Sequence, residues 1–182
     1  MRDMRRQWTY TRALAALFVA AGEALAQEPK TPRRRIIVSI PDRQLALLED
    51  DRVVKIYRVA VGADASPSPE GSFTVIRRVA NPTWYGPHQI VPPGKSNPVG
   101  TRWIGLSLKG YGIHGTSNPK SIGKNASHGC IRLRNADVEE LFGLVSVGDA
   151  VELHRERTPE LARIFGETVL RAGVTAGTTG GQ

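Results

Sequence analysis

The chain has 182 residues, of which 40% are hydrophobic and 23% charged, with a formal net charge of +8. That length suits one domain with a real core, and the composition excludes a disordered chain or one dominated by membrane spans. Its cations are scattered rather than clustered, which argues against a nucleic-acid binder despite the positive sign.

Residues 1–26 read as an export signal. Arg2, Arg5, Arg6 and Arg12 form a basic leader, Ala13 to Ala21 is wholly apolar, and Ala24-Leu25-Ala26 offers the small residues a signal peptidase reads. The apolar run is about half the ~20 residues a spanning helix needs, so a membrane anchor is the weaker reading. Arg5-Arg6 leaves the general and twin-arginine routes both open. The expected location is the periplasm or cell envelope. Without this segment the charge falls to about +6, and an anionic envelope polymer becomes the natural long-range partner.

Residues 27–33 form a polar, Pro-containing linker. From Arg35 the pattern is of short β-branched runs: IIVSI, QLALLE and VVKIYRVAV, broken at Pro41-Asp42 and Glu49-Asp50-Asp51 as in a meander of hairpins. After the loop Gly62–Gly71, FTVIRRV makes another strand. Residues 81–100 hold five prolines and three glycines and predict a long structured loop. WIGLSL, YGIHG and CIRL resume strand-like alternation. NADVEELFGLVSVG predicts one helix, with Asn135 as cap and Val138, Leu141, Phe142 and Val145 at helical spacing. AVELH closes a mainly-β domain over residues 34–154, with that helix peripheral. Residues 155–182 then read as a small amphipathic helix and a flexible tail.

Cys130 is the only cysteine. In an exported chain an unpaired cysteine points to an intermolecular disulfide or a reactive thiol, and the bland alternative is a buried, inert one. Its surroundings, IHGTSNPKSIGKNASHGCIRL, bring two histidines, a glycine-rich loop and an arginine to the same stretch. His114 ends a strand before the loop and Cys130 opens one after it. If those strands are neighbours, an imidazole meets a thiol across the loop mouth. Ser127-His128-Gly129-Cys130 is a tight turn whose amides could hold an oxyanion. His128 is a second candidate base or a turn residue, ranked behind His114 because it lies only two positions before the cysteine. Arg132 is a solvated strand residue or a carboxylate clamp on the Cys130 face. His88 and His154 have no assigned role, and the spacing of His114, His128 and Cys130 is not a usual zinc signature.

The block resembles the catalytic motif of YkuD-type L,D-transpeptidases, an upstream HGT followed by SHGC-[IV]-R-[ML]. NPTWYGP, SNPVG, YGIHGTSNPKSIG, the opening strand run and the closing GDAVELH fall in the family's order, so the likeness spans about 120 residues. The resemblance implies a β-sandwich with the 81–100 loop near the cleft. It implies Cys130 as nucleophile, His114 as general base, and the Gly115 carbonyl in place of an aspartate to orient the ring. The amides of His128, Gly129 and Cys130 would hold the oxyanion, with Arg132, Ser127 and Trp84 on the substrate side. Some members carry Asn where this chain has Arg132.

The implied reaction is acyl transfer from a peptidoglycan stem tetrapeptide through a thioester. The acceptor would be a second stem, an envelope lipoprotein lysine or water. Carbapenem-type β-lactams would be inhibitors, and no cofactor, metal or nucleic acid is implied. A papain-like protease is disfavoured because histidine precedes cysteine and no tryptophan-flanked cysteine occurs. A non-catalytic envelope-binding module would require an inert Cys130. An activated thiol should titrate below its ordinary ~8.5.

Overall fold

The computed structural model describes residues 33–166. The export signal, most of the linker and the tail beyond Gly166 lie outside the described residues. β1 (Arg34–Ser39), β2 (Gln44–Glu49) and β3 (Arg52–Arg58) form the expected antiparallel meander. Asp50 and Asp51 turn the second hairpin with φ of 47° and 64°, a conformation that short polar side chains tolerate.

The run read as one strand to Val61 is broken. β4 (Val61–Gly62) leaves β2 and pairs in parallel with β10 (Asn125–Ser127), while Ala60 bridges to Arg132. The chain changes partners there, and that is how a meander strand comes to brace the loop before Cys130.

β5 (Gly71–Ala80) organises the rest. Its first residues pair with β12 (Ala150–His154) and its later ones with β8 (Arg102–Leu106), with a register shift between Val75 and Arg77. A bulge in a long strand bends it, so β5 serves both halves of the fold. β8 continues to β9 (Gly112–His114), and β9 pairs in parallel with β11 (Ile131–Arg132). The strand order is β11-β9-β8-β5-β12-β1-β2-β3. This mainly-β, curled sheet closes over one core, which includes Ile36, Leu47, Ile104, Ile113, Leu133 and Val151. Residues 81–100 are mostly loop, as expected, but contain a small ribbon of β6 (Trp84–Tyr85) and β7 (Ile90–Val91).

α1 (Asn135–Leu144) contributes Val138 and Leu141 to that core. Its N-cap is Arg134, and Asn135 does not cap. The Asn135 carboxamide oxygen instead accepts from the Thr116 amide at 3.0 Å. The helix starts one residue earlier than the sequence suggests, which frees that side chain for the loop after His114.

β1 and β2 are near-continuous apolar runs because both faces are covered. Ile37, Ala46 and Leu48 point away from the main core and pack against Leu161 and Phe165 of α2 (Pro159–Phe165). Thr158 caps that helix by accepting from the Leu161 amide at 3.3 Å. Phe165 is 1% exposed. Phe165→Ala should therefore destabilise the domain by ~3–5 kcal/mol. The check is the denaturant midpoint, and a shift worth under ~1 kcal/mol would show that α2 is dispensable to the fold.

Candidate active site

Two rows of side chains cross the sheet at the site. Val79, Trp103, His114 and Arg132 are register partners on β5, β8, β9 and β11. The next row runs Arg77, Gly105, Gly112. Cys130 precedes the Ile131–Ile113 pair by one residue, which places it at the end of this second row. β9 and β11 are thus neighbours. His114 and Cys130 line one cavity of about 840 Å³, together with Trp84, Trp103, His128 and Arg132. Among the described residues, no Asp or Glu lines it.

His114 is 4% exposed. Its Nδ1 lies 2.6 Å from the Gly115 carbonyl oxygen. A carbonyl only accepts, so Nδ1 carries the proton and Nε2 keeps its lone pair. The carbonyl is itself held in place: a Cβ on Gly115 or Gly100 would collide with the Asn135 side chain, which wedges between the two segments. The imidazole also stacks on Trp103, with centroids 5.5 Å apart and planes at 21°. Burial pushes the imidazole pKa down to about 4, assisted by Arg132 and opposed by the Gly115 hydrogen bond.

Trp103 escaped the sequence reading, and Asn135 was read there only as a helix cap. The signal for the first is the spacing Trp103-x-Gly105 and Gly112-x-His114, which clears room on one sheet face for an indole. A Cβ at Gly112 would stand 2.6 Å from Trp103 Cζ2 and 2.8 Å from the Ile104 carbonyl oxygen. Gly112→Ala should cost ~1–3 kcal/mol and slow acylation by displacing the ring that stacks on His114. Unchanged stability and rate together would show that the indole needs no such seat.

Asn97, fully buried, was also missed as a site residue. Its amide nitrogen donates to the carbonyls of Pro82, Val91 and Pro92 at 2.8–3.1 Å, and its oxygen accepts from Val99 N–H at 2.9 Å. One side chain thus ties together the 81–100 loop that carries Trp84 to the cavity wall. The indole of Trp84 folds over Gly86, where a Cβ would collide with it.

The turn before Cys130 differs in two ways from the expectation. Ser127 borders the cavity, but its hydroxyl donates to the Cys130 carbonyl at 2.6 Å and accepts from Gly129 N–H at 3.1 Å. It braces the turn instead of facing a ligand. Gly129 N–H, one of the three turn amides expected to hold an oxyanion, is committed to that brace. Gly129 has φ of +107°, and a Cβ there would meet Tyr111 Cε1 at 2.7 Å, so only glycine fits. His128 is exposed at the cavity rim.

Arg132 Nη1 donates to the Ala126 carbonyl at 3.1 Å, and its buried Nε has no partner. An orphaned guanidinium N–H beside the thiol suits an anionic ligand. Cys130 Sγ contacts the Gly110 carbonyl oxygen at 3.7 Å.

Burial pushes the Cys130 thiol up, against the pull of the Gly112 amide and the Arg132 guanidinium. This overturns the expectation of a depressed thiol: desolvation outweighs the two groups that favour the anion. A depressed imidazole and a raised thiol do not form an ion pair at rest. Alkylation of the free protein should therefore keep rising through pH 9 without a neutral-pH plateau, and Arg132→Met should move the inflection further up. A plateau near pH 7 would reveal a preformed thiolate.

The L,D-transpeptidase catalytic domain pattern (YkuD) matches residues 33–153. A Bacillus licheniformis protein provisionally named L,D-transpeptidase YkuD is 41% identical over 139 residues, 74% of this chain and 76% of that one. A Bacillus subtilis protein provisionally named L,D-transpeptidase YqjB is 39% identical over 132 residues, 70% of this chain and 74% of that one. Among solved structures, an L,D-transpeptidase from Mycobacterium tuberculosis shares the fold at TM-score 0.59 and 21% identity, covering 68% of this chain and 58% of that one. The motif, the register that joins its two halves and these likenesses agree: the chain belongs to the YkuD family of L,D-transpeptidase catalytic domains.

Proposed function

We propose that this protein is a peptidoglycan L,D-transpeptidase that uses Cys130 as nucleophile and His114 as base, acting in the periplasm or cell envelope after export. The observation that carries the reading is the pinned His114 ring, with a proton on Nδ1 and a free lone pair on Nε2, in the cavity that also holds the only thiol.

The donor is a stem tetrapeptide. As the sulfur attacks the carbonyl between the diamino acid and the terminal D-alanine, Nε2 takes the thiol proton. Because the resting pair is neutral, proton transfer accompanies attack. The amides of His128 and Cys130 meet the developing oxyanion, and His114 passes its proton to the departing D-alanine amine. Arg132 supplies positive charge to the stem, and Trp84 walls the cleft.

The thioester then yields to an amine of another stem, to a lipoprotein lysine or to water. An L,D-transpeptidase has been solved in complex with imipenem, and L,D-transpeptidase 3 from Mycobacterium tuberculosis in complex with a faropenem-derived adduct. By likeness, carbapenem-type β-lactams acylate Cys130 here. The test is incubation with purified stem tetrapeptide and separation of the products. Released D-alanine with cross-linked dimer or tripeptide supports the reading, and an unaltered tetrapeptide opposes it.

A further inference from the structure

His114 closes β9, and the peptide that follows it is still held by the sheet. The His114 carbonyl accepts from Leu133 N–H at 2.8 Å, and Gly115 N–H donates to the Arg102 carbonyl at 3.2 Å. The next peptide, between Gly115 and Thr116, is held by side chains instead. Its carbonyl oxygen is the acceptor 2.6 Å from His114 Nδ1, and its N–H donates to Asn135 Oδ1 at 3.0 Å. A trans peptide is planar, and its C=O and N–H point to opposite edges. One peptide plane is thus gripped from both sides, by the imidazole on one edge and the carboxamide on the other.

The second grip answers a weakness of the first. A peptide beside a glycine turns over readily, because no Cβ restrains the glycine dihedrals. Turned over, the Gly115–Thr116 peptide would offer Nδ1 an N–H in place of a carbonyl. The ring would then hold its lone pair on Nδ1 and its proton on Nε2, the reverse of what a base towards Cys130 requires.

Asn135 is placed to prevent this. It opens α1, whose Val138 and Leu141 are fully buried, so a well-anchored element carries the carboxamide. The oxygen enters a slot between two glycines: a Cβ on Gly100 or on Gly115 would stand 2.2 Å from it. The side chain is not spent on capping its own helix. Nor does it line the cavity, so its effect on the chemistry passes through the peptide it holds.

We infer that Asn135 is a positioning residue that sets the tautomer of His114 by keeping the Gly115–Thr116 peptide from turning over. Its bearing on catalysis rests on the reading of His114 as general base given above.

Nitrogen NMR of the protein with isotopically labelled histidine reads the tautomer directly. At pH 7 a ring held at about 4 is neutral, and the spectrum separates its protonated nitrogen from its lone-pair nitrogen. The chain has four histidines, and His114→Gln assigns the His114 resonances by their loss. The wild type is expected to carry the proton on Nδ1 alone. Asn135→Ala is expected to mix or reverse the tautomers and to lower the acylation rate at saturating tetrapeptide by ~10²-fold. Asn135→Asp keeps an acceptor oxygen in the slot and is expected to restore both. If Asn135→Ala does not fold, Asn135→Ser, whose oxygen stops a bond short, carries the same expectation. A folded Asn135→Ala or Asn135→Ser protein with the proton still on Nδ1 overturns the inference, and so does its loss from Nδ1 in Asn135→Asp. A tautomer that shifts as expected in a protein whose wild type forms no thioester leaves the positioning role standing and overturns the acyl-transfer reading.

Discussion

Cys130→Ala is expected to abolish acyl-enzyme formation, with stem tetrapeptide and carbapenem alike, while leaving the protein folded. The chain has no other thiol to take over the attack, and water activated by His114 alone is a far poorer nucleophile towards an amide. Folding should survive because the side chain makes only weak contacts, to the Gly110 carbonyl and the Gly112 amide, and loses only a sulfur from a cavity wall. Intact-mass spectra and a thermal melt read both halves of the expectation. A carbapenem adduct persisting on the variant would move the nucleophile elsewhere.

His114→Gln should lower the acylation rate by ~10²–10⁴-fold, the usual worth of a general base. Glutamine can still donate to the Gly115 carbonyl and fill much of the space under Trp103, so the comparison isolates proton transfer better than alanine does. His128→Ala should lose far less, because that ring is exposed at the rim and the structure gives it no orienting partner among the described residues. If the two losses came out reversed, the base assignment would pass to His128. The pH profile adds a second reading. An imidazole held at about 4 stays unprotonated well below the ordinary histidine range. The acid limb of the acylation rate should therefore fall near pH 4 and not near 6.5.

Most of the site's chemistry was legible in the sequence because it lies in one 21-residue stretch. His114 ends β9, Cys130 stands one residue before β11, and the segment between them returns the chain so that these two strands pair. What pairs those strands was less visible. β12 enters the middle of the sheet beside β1, over a hundred residues earlier in the chain, and periodicity carries no information about such partners. The break at Val59-Ala60 was hidden for the same reason: a uniform β-branched run does not reveal that its end has changed neighbours.

The supporting residues failed for a different reason. Asn135 looked like a cap because an asparagine before an apolar helical pattern usually is one. Its true partner, the Thr116 amide, is distant in sequence. Asn97 sits in a loop whose composition suggests only turns, yet its buried side chain satisfies three carbonyls. The thiol's direction of shift was misjudged because charge partners can be read from sequence and burial cannot. Arg132 was visible, and the desolvation that outweighs it was not.

The central claim is that Cys130 carries the stem as a thioester. Intact-mass spectrometry of the wild-type protein, quenched in acid within seconds of mixing with stem tetrapeptide, tests it most directly. The account predicts a covalent adduct equal to the tetrapeptide minus D-alanine, mapped by digestion to Cys130, with free D-alanine in solution. A protein of unchanged mass alongside released D-alanine, or an adduct on any other residue, would contradict it.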